Sequence, residues 1–302
     1  MKYSIAQDSR VGARRYNQDR LGHWATSDTL LMVVADGMGG HLHGEIAAQL
    51  ALESLAQDFR SEAKPKLADP DMFLFRGLAR AHGAIVREAQ ERDLRETPRT
   101  VLVACVVQDG YAYWSHVGDS RLYLIRRGRV AARTKDHSRV QQLIDKGQLR
   151  EEAVPTHPER NILTRCLGSE HAPRLEPAAS ARLAKDDLIL MCSDGLWGPL
   201  NERQLLDGLR AQDLRLAVSD LASLAEARAG RQCDNVSLLA MAWGEGDVAP
   251  ANEPLTLPFH DLPTDVQDFT ATEPDFMRMS DEDIEREIAE IKAALRKHSG
   301  TP

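Results

Sequence analysis

The 302-residue sequence predicts an α+β layered sandwich rather than a doubly wound parallel sheet. Strand and helix patterns come in blocks instead of alternating. Turn signals divide apolar runs into hairpins. Residues 30–35, LLMVVA, form an unbroken apolar run, the pattern of a strand covered on both faces.

In chain order, residues 2–7 and 21–35 read as strands. Over 44–59, Ile46, Ala47, Leu50, Leu55 and Phe59 recur at helical spacing. A second helix over 71–92 places Phe73, Leu74, Leu78, Ala81, Ile85 and Val86 on one face. The period then changes. Apolar runs at 101–107 and 111–117 flank Gln108-Asp109-Gly110, and runs at 121–125 and 130–133 flank Arg126-Arg127-Gly128, giving two hairpins. Residues 137–149 read as helical, and 150–180, with four prolines, as irregular. A strand at 187–192, helices at 201–209 and 213–228, and a strand at 235–243 complete the pattern.

The texture changes after Trp243. Residues 244–279 are rich in Pro, Asp, Glu and Thr without a period, and read as a linker. Ser280 then precedes Asp281-Glu282-Asp283, an N-cap followed by acids that suit the helix dipole. Ile284, Ile288, Ile291 and Leu295 form one stripe of a short amphipathic helix over 280–298. Two roles stay open for this helix: docking on its own domain, or binding a partner protein.

Hydrophobic residues make up 42% and charged residues 28%, enough apolar material for a core. The net charge of -8 argues against general nucleic-acid binding. It belongs to the tail. Residues 247–302 hold 13 acidic and 5 basic residues, which leaves 33 of each in 1–246. Cys105, Cys166, Cys192 and Cys233 show no zinc spacing and read as reduced core thiols, which fits a cytoplasmic home. The N-terminus lacks the apolar run of a signal peptide, and no apolar segment approaches the ~20 residues that span a bilayer.

Three apolar strands run straight into an Asp with a small residue beside it: Val34-Ala35-Asp36-Gly37, Val117-Gly118-Asp119-Ser120 and Cys192-Ser193-Asp194-Gly195. Asp234 directly precedes the last strand, and Asp19 sits in Asn17-Gln18-Asp19. Any one such pair is explained by the liking of Asp and Gly for turns. Several together need cations, because like charges at neighbouring strand ends repel. Mg²⁺ and Mn²⁺ take oxygen ligands, and a glycine beside the Asp lets a backbone carbonyl approach. Two such ions activate water for attack at phosphorus. Residue chemistry alone therefore points to a metal-assisted phosphoester hydrolase.

"RRYNQD" (14–19), "VADGMGGH" (34–41), "HVGDSRLYLIR" (116–126), "KDHSRVQQLIDKGQL" (135–149), "HPERNILTRCLG" (157–168), "CSDGLW" (192–197) and "CDNVSLLA" (233–240) occur in order. With them the sequence resembles the bacterial branch of the metal-dependent protein serine/threonine phosphatases, the PPM or protein phosphatase 2C family, over roughly residues 3–243. The resemblance implies a four-layer αββα sandwich, two antiparallel sheets flanked by helices, with the metal centre at one end between the sheets. Residues 1–243 would be the catalytic domain, 244–279 an acidic linker and 280–298 a C-terminal helix.

The resemblance further implies two Mn²⁺ or Mg²⁺ ions and a third. Asp36 would bridge the pair, the Gly37 carbonyl would bind the second ion, and Asp194 and Asp234 the first. Asp19 would act through water, with Asn235 supporting that shell, and Asp119 with Asp194 would hold the third ion. Arg14, five residues before Asp19, would clamp the substrate phosphate, with Arg15 as the alternative. Hydrolysis would be direct, by a metal-bridging water, on phosphoprotein substrates made by an opposing Ser/Thr kinase. The chain would act as a monomer away from membranes and nucleic acid. Animal members carry a histidine two residues after the bridging Asp; here Met38 stands there. His41 and His43 lie close but suit structural roles, and Ser193 and Cys192 show no activating partner. Residues 137–170 match a flap beside the active site, expected to be mobile and to shape substrate choice. A regulatory binding module with the same fold is the competing reading. A nucleotide loop at GMGGHLHG is a weaker one, since it lacks the P-loop lysine.

Overall fold

The computed structural model describes residues 1–38, 43–210 and 213–244. Among these, ten strands form two five-stranded antiparallel sheets. The first, in the order β1-β10-β9-β6-β7, comprises β1 (Tyr3–Arg10), β10 (Val236–Trp243), β9 (Leu188–Cys192), β6 (Arg121–Arg126) and β7 (Arg129–Arg133). The second, in the order β2-β3-β4-β5-β8, comprises β2 (Arg20–Ala25), β3 (Thr29–Gly37), β4 (Thr100–Gln108), β5 (Tyr111–Val117) and β8 (Ala179–Arg182). Helices α1 (Gly44–Glu62) and α2 (Pro70–Glu91) cover the second sheet. Helices α4 (Asp194–Trp197), α5 (Glu202–Leu209) and α6 (Leu214–Ala229) cover the first. Helix α3 (Arg139–Asp145) lies in the long connection after β7.

The apolar run of β3 shows why four layers form. Leu31, Val33 and Ala35 pack with α1 and α2, while Leu30, Met32 and Val34 face the other sheet. Alternation along the strand feeds two separate cores, so every position of the run is buried. Strand β9 divides the same way, with Leu190 and Cys192 toward α5 and α6 and Ile189 and Met191 toward the other sheet. The layers between sheet and helices are closed by leucines and by an edge-to-face Phe59–Phe73 pair.

Helix starts follow local chemistry. Asp69 caps α2 ahead of Pro70, Ser138 caps α3, Asn201 and Gln204 form a capping box on α5, and Asp213 caps α6. The span 21–35 resolves into two strands joined by a turn at 26–28. The helix expected over 137–149 is shorter, because Gly147 at φ 67 ends it. The irregular stretch 150–180 contains a 3₁₀ turn, Glu151–Thr156, and the first residues of β8. The linker from residue 245 on and the helix over 280–298 lie outside the described residues.

Register puts the five aspartates at one end of the sandwich. Arg20 pairs with Ala35, so Asp19 neighbours Asp36, which itself pairs with Val101 at the same end of β4. Val117 pairs with Leu102, bringing in Asp119. Cys192 lies opposite both Leu238 and Arg121, bringing Asp194, Asp234 and Asp119 to that end from the other sheet.

Candidate active site

Asp19 and Asp119 are buried, and Asp36 and Asp194 nearly so. Burial is the main force on their proton affinity. It pushes Asp36 and Asp194 well above the usual carboxylate range, and each is pushed further by the charges of the other aspartates. Burial raises Asp19 to about 6, against hydrogen bonds from Ser193, Ser237 and Asp36. Asp119 is raised to about 7 by burial and by the charge of Asp136, with Arg121 acting in the opposite sense.

Among the described residues, no three His, Cys, Asp or Glu side chains are drawn together tightly enough to hold an ion. Like charges in a poorly solvated space hold apart. The donor set is nonetheless one of carboxylate oxygens, which fits hard divalent cations. Gly37 fits the same reading. A side chain there would collide with the Gly44 carbonyl and approach the Gln18 carbonyl to 2.8 Å, so the backbone at this point stays bare.

Arg14 is the cation that reaches the cluster. Its guanidinium donates to Asp234 at 2.6 Å and feels the charges of Asp194 and Asp36, while half of its side chain remains exposed. Arg15 is exposed and makes no such contact among the described residues.

The loop that carries Arg14 and Asp19 is fixed by Asn235. Its side-chain oxygen accepts from the Gln18 N–H at 2.8 Å, and its amide donates to the carbonyls of Val11 at 2.8 Å and Tyr16 at 3.1 Å. Asn17 donates to Ser9 at 2.9 Å and accepts from the Asp19 N–H at 3.0 Å. Gly12, at φ 63, packs against the Asp234 backbone, where no side chain fits.

Ser193 has a partner that the sequence conceals: its hydroxyl donates to Asp19 at 2.8 Å and accepts from the Ser237 N–H at 3.1 Å. Ser193 is fully buried, so it orients Asp19 and cannot meet a substrate. Cys192 is equally buried, and burial pushes its thiol far up, away from nucleophilic use. His43 starts α1 in a left-handed conformation with its ring 3.8 Å from Glu45, a structural position. Met38 lends its N–H to the Arg99 carbonyl, and its side chain has no proton to give. Gly39, Gly40 and His41 lie outside the described residues.

A second group, given no role by the sequence, stands beneath Asp119. Arg121 makes two hydrogen bonds to Asp136, at 2.9 and 2.7 Å, and stacks 3.6 Å from the centre of the Trp197 ring. Trp197 donates its indole N–H to the Asp119 carbonyl at 3.0 Å. Burial works against the Arg121 charge, but the bonds to Asp136 outweigh it and hold the guanidinium above its usual range. Three of the sequence motifs, GDSR, KDH and DGLW, meet here.

The flap segment is tied at both ends. His137 exchanges hydrogen bonds with Gly118 and stacks on His116 with ring centres 4.4 Å apart, while Leu167 pairs with Thr100. Between these ties, residues 145–162 are largely exposed.

Residues 6–227 match the family model described as Protein phosphatase 2C. The chain is 32% identical over 241 residues to the serine/threonine protein phosphatase PstP of Mycobacterium tuberculosis, covering 79% of this chain and 44% of that protein. Among solved structures, it resembles the serine/threonine phosphatase Stp1 of Staphylococcus aureus with a TM-score of 0.75 at 28% identity, covering 82% of this chain and 96% of the other. It also resembles the catalytic domain of PstP in complex with two manganese ions, with a TM-score of 0.68 at 29% identity over 80% and 97% of the two chains.

Proposed function

The chain belongs to the protein phosphatase 2C family, and on that premise we propose that it hydrolyses phosphoserine and phosphothreonine in proteins with two divalent cations, Mn²⁺ or Mg²⁺. The observation that carries this reading is the gathering of five aspartates from five separate stretches of the chain at one end of the sandwich, with the half-exposed Arg14 beside them.

Asp36, with the Gly37 carbonyl beside it, would hold the pair of ions. Asp194 and Asp234 would hold one ion, and Asp119 with Asp194 a third. Asp19, which accepts a hydrogen bond from Ser193, would support them through water. Bound there, the cations supply a water of lowered pKa and charge to offset that of the phosphoryl group. The chain's own residues do the rest. Arg14 presents its half-exposed guanidinium to the phosphate oxygens while Asp234 keeps it in place. Asn235 fixes the loop that carries Arg14 and Asp19, so both keep their spacing from Asp36. The exposed flap, 145–162, flanks the entrance and selects among substrates.

In this reading residues 1–243 are the catalytic domain, followed by a linker over 244–279 and a helix over 280–298 that meets a regulated partner. The chain acts as a monomer in the cytoplasm against a Ser/Thr kinase. No helix among the described residues is long and apolar enough to cross a membrane, and all four cysteines are free and buried, both in keeping with that setting. The test is release of phosphate from a phosphothreonine peptide with Mn²⁺ or Mg²⁺, which EDTA or Asp36→Asn abolishes. Turnover that survives both would overturn the assignment.

A further inference from the structure

The end of the sandwich opposite the carboxylates carries a set of cations with little to neutralise them among the described residues. The β6–β7 hairpin reads Arg126-Arg127-Gly128-Arg129 at its tip. Arg126 is satisfied by Asp187 at 2.6 Å. Arg127 and Arg129 are exposed and make no ion pair with any described residue, and the same holds for Lys2, Arg182 and Lys185. Asp186, exposed on the same turn as Lys185, stands among them, and Asp109, beside the Gly110 carbonyl that accepts from the Leu183 N–H, is paired with Lys66 at 2.6 Å.

Contacts join them into a continuous surface. Arg126 donates to the Arg182 carbonyl at 2.8 Å, the Asp186 N–H donates to the Trp243 carbonyl at 3.0 Å, and the Gly244 N–H donates to the Lys2 carbonyl at 2.9 Å. Strand β7 is one of the two edge strands of its sheet, β1 being the other, so its outer backbone groups have no strand partner among the described residues.

The chain leaves the sheet at this same end. Register runs from Ala242 to Leu188, from Leu188 to Ile125, and from Ile125 to Val130, so Gly244 and the β7 edge are three strand spacings apart. That is about 14 Å, which about five extended residues cover. The sequence beyond Gly244 is unusually one-sided. Residues 245–275 contain eight carboxylates and no Lys or Arg, interspersed with Val248, Leu255, Leu257, Phe259, Leu262 and Val266.

We propose that the acidic segment 245–275 docks on the cationic end of its own domain, along the hairpin tip and the open edge of β7. Its carboxylates pair with Arg127, Arg129, Arg182 and Lys185, and its backbone joins the β7 edge as an added strand. The segment thereby covers a sheet edge that is otherwise open to other chains. The helix over 280–298 is left tethered beyond it. The surface lies away from Asp36, so the proposal does not depend on the catalytic reading.

Amide hydrogen exchange on the full chain tests it. Two variants are compared with the parent: one with Glu253→Gln, Asp261→Asn, Asp265→Asn and Asp268→Asn, which leaves every described residue unchanged, and one with Arg127→Glu and Arg129→Glu. Exchange over residues 127–133 is expected to quicken roughly tenfold in each, with β3 and β4 unchanged, and to quicken in the parent as salt rises from ~0.02 to ~0.5 M. Equal rates in the parent and the acid-neutralised variant would overturn the proposal. Protection that grows with protein concentration would also overturn it, by making the occupant a second chain.

Discussion

Replacing Arg121 by Met tests the group beneath Asp119. Arg121 and Asp136 are a buried pair, with side chains 13% and 8% exposed. Removing the guanidinium strands the Asp136 charge in a poorly solvated place, which costs about 3–5 kcal/mol. Loss of the stack on Trp197 adds ~1–2 kcal/mol. Replacing both partners, as Arg121→Met with Asp136→Leu, removes the stranded charge, so the double variant is expected to lose only about 1–2 kcal/mol, mainly the Trp197 contact. Urea unfolding should then find the single variant less stable than the double by about 3–5 kcal/mol, the cost of the stranded charge. Arg121 also offsets the effects that push Asp119 up, so the single variant should bind Mn²⁺ more weakly at the Asp119 position. A single variant as stable as the double, or one that loses less than ~1 kcal/mol, would refute this account of the pair.

The same geometry sets other outcomes. Asn235→Ala deletes three hydrogen bonds at about 1 kcal/mol each and frees the 11–18 loop; urea unfolding should show a loss of ~2–3 kcal/mol, and peptide kinetics a raised KM. Gly37→Ala should abolish Mn²⁺-dependent turnover, because the added methyl meets the Gly44 backbone; a variant with parental activity would show that the backbone yields there. Burial raises the folded pKa of Asp19 to about 6 and of Asp119 to about 7, above the ordinary 3.8. Carboxylates shifted this way favour the fold when protonated and withdraw that favour as pH climbs from about 4 to 7. In EDTA, therefore, the melting temperature should fall across that interval more steeply than in an Asp19→Asn, Asp119→Asn variant, and Mn²⁺ at pH 7 should restore it. Identical slopes would remove these two groups from the account.

The sequence made the skeleton readable where a local pattern existed. The unbroken 30–35 run, the DG and GD pairs at strand ends and the 108–110 turn each announce their element within a few residues. Strand β8 escaped because Ala-Ser-Ala-Arg at an exposed edge carries no apolar signal. Helix α4, four residues long, is too short to show a period. The site divides the same way. Asp19, Asp36, Asp119, Asp194 and Asp234 were legible, since each sits at a strand end within a short motif. The contacts that aim them were not, although the resemblance already gave Asn235 a supporting role. Ser193 meets Asp19 across 174 residues of sequence, and Asn235 reaches Tyr16 across 219. Such pairings arise only when two sheets close, and no window along the chain contains both partners.

The contacts between the two sheets carry a mechanical implication. The layer between them is filled by Leu, Ile, Val and Met, whose attraction has no direction and resists sliding only weakly. Directional ties gather at the carboxylate end, Ser193 to Asp19, Asn235 to Gln18, Arg14 to Asp234 and Asn17 to Ser9, while His23–Gln7 and Arg126 to the Arg182 carbonyl cross between the sheets elsewhere. Asp36 belongs to one sheet, and Asp194 and Asp234 to the other. An ion that drew these three together would act as a rivet between two plates, and a shear of one plate over the other would be felt there as a change in carboxylate spacing. The helices pressed on the outer faces thus have a lever on the chemistry without touching it.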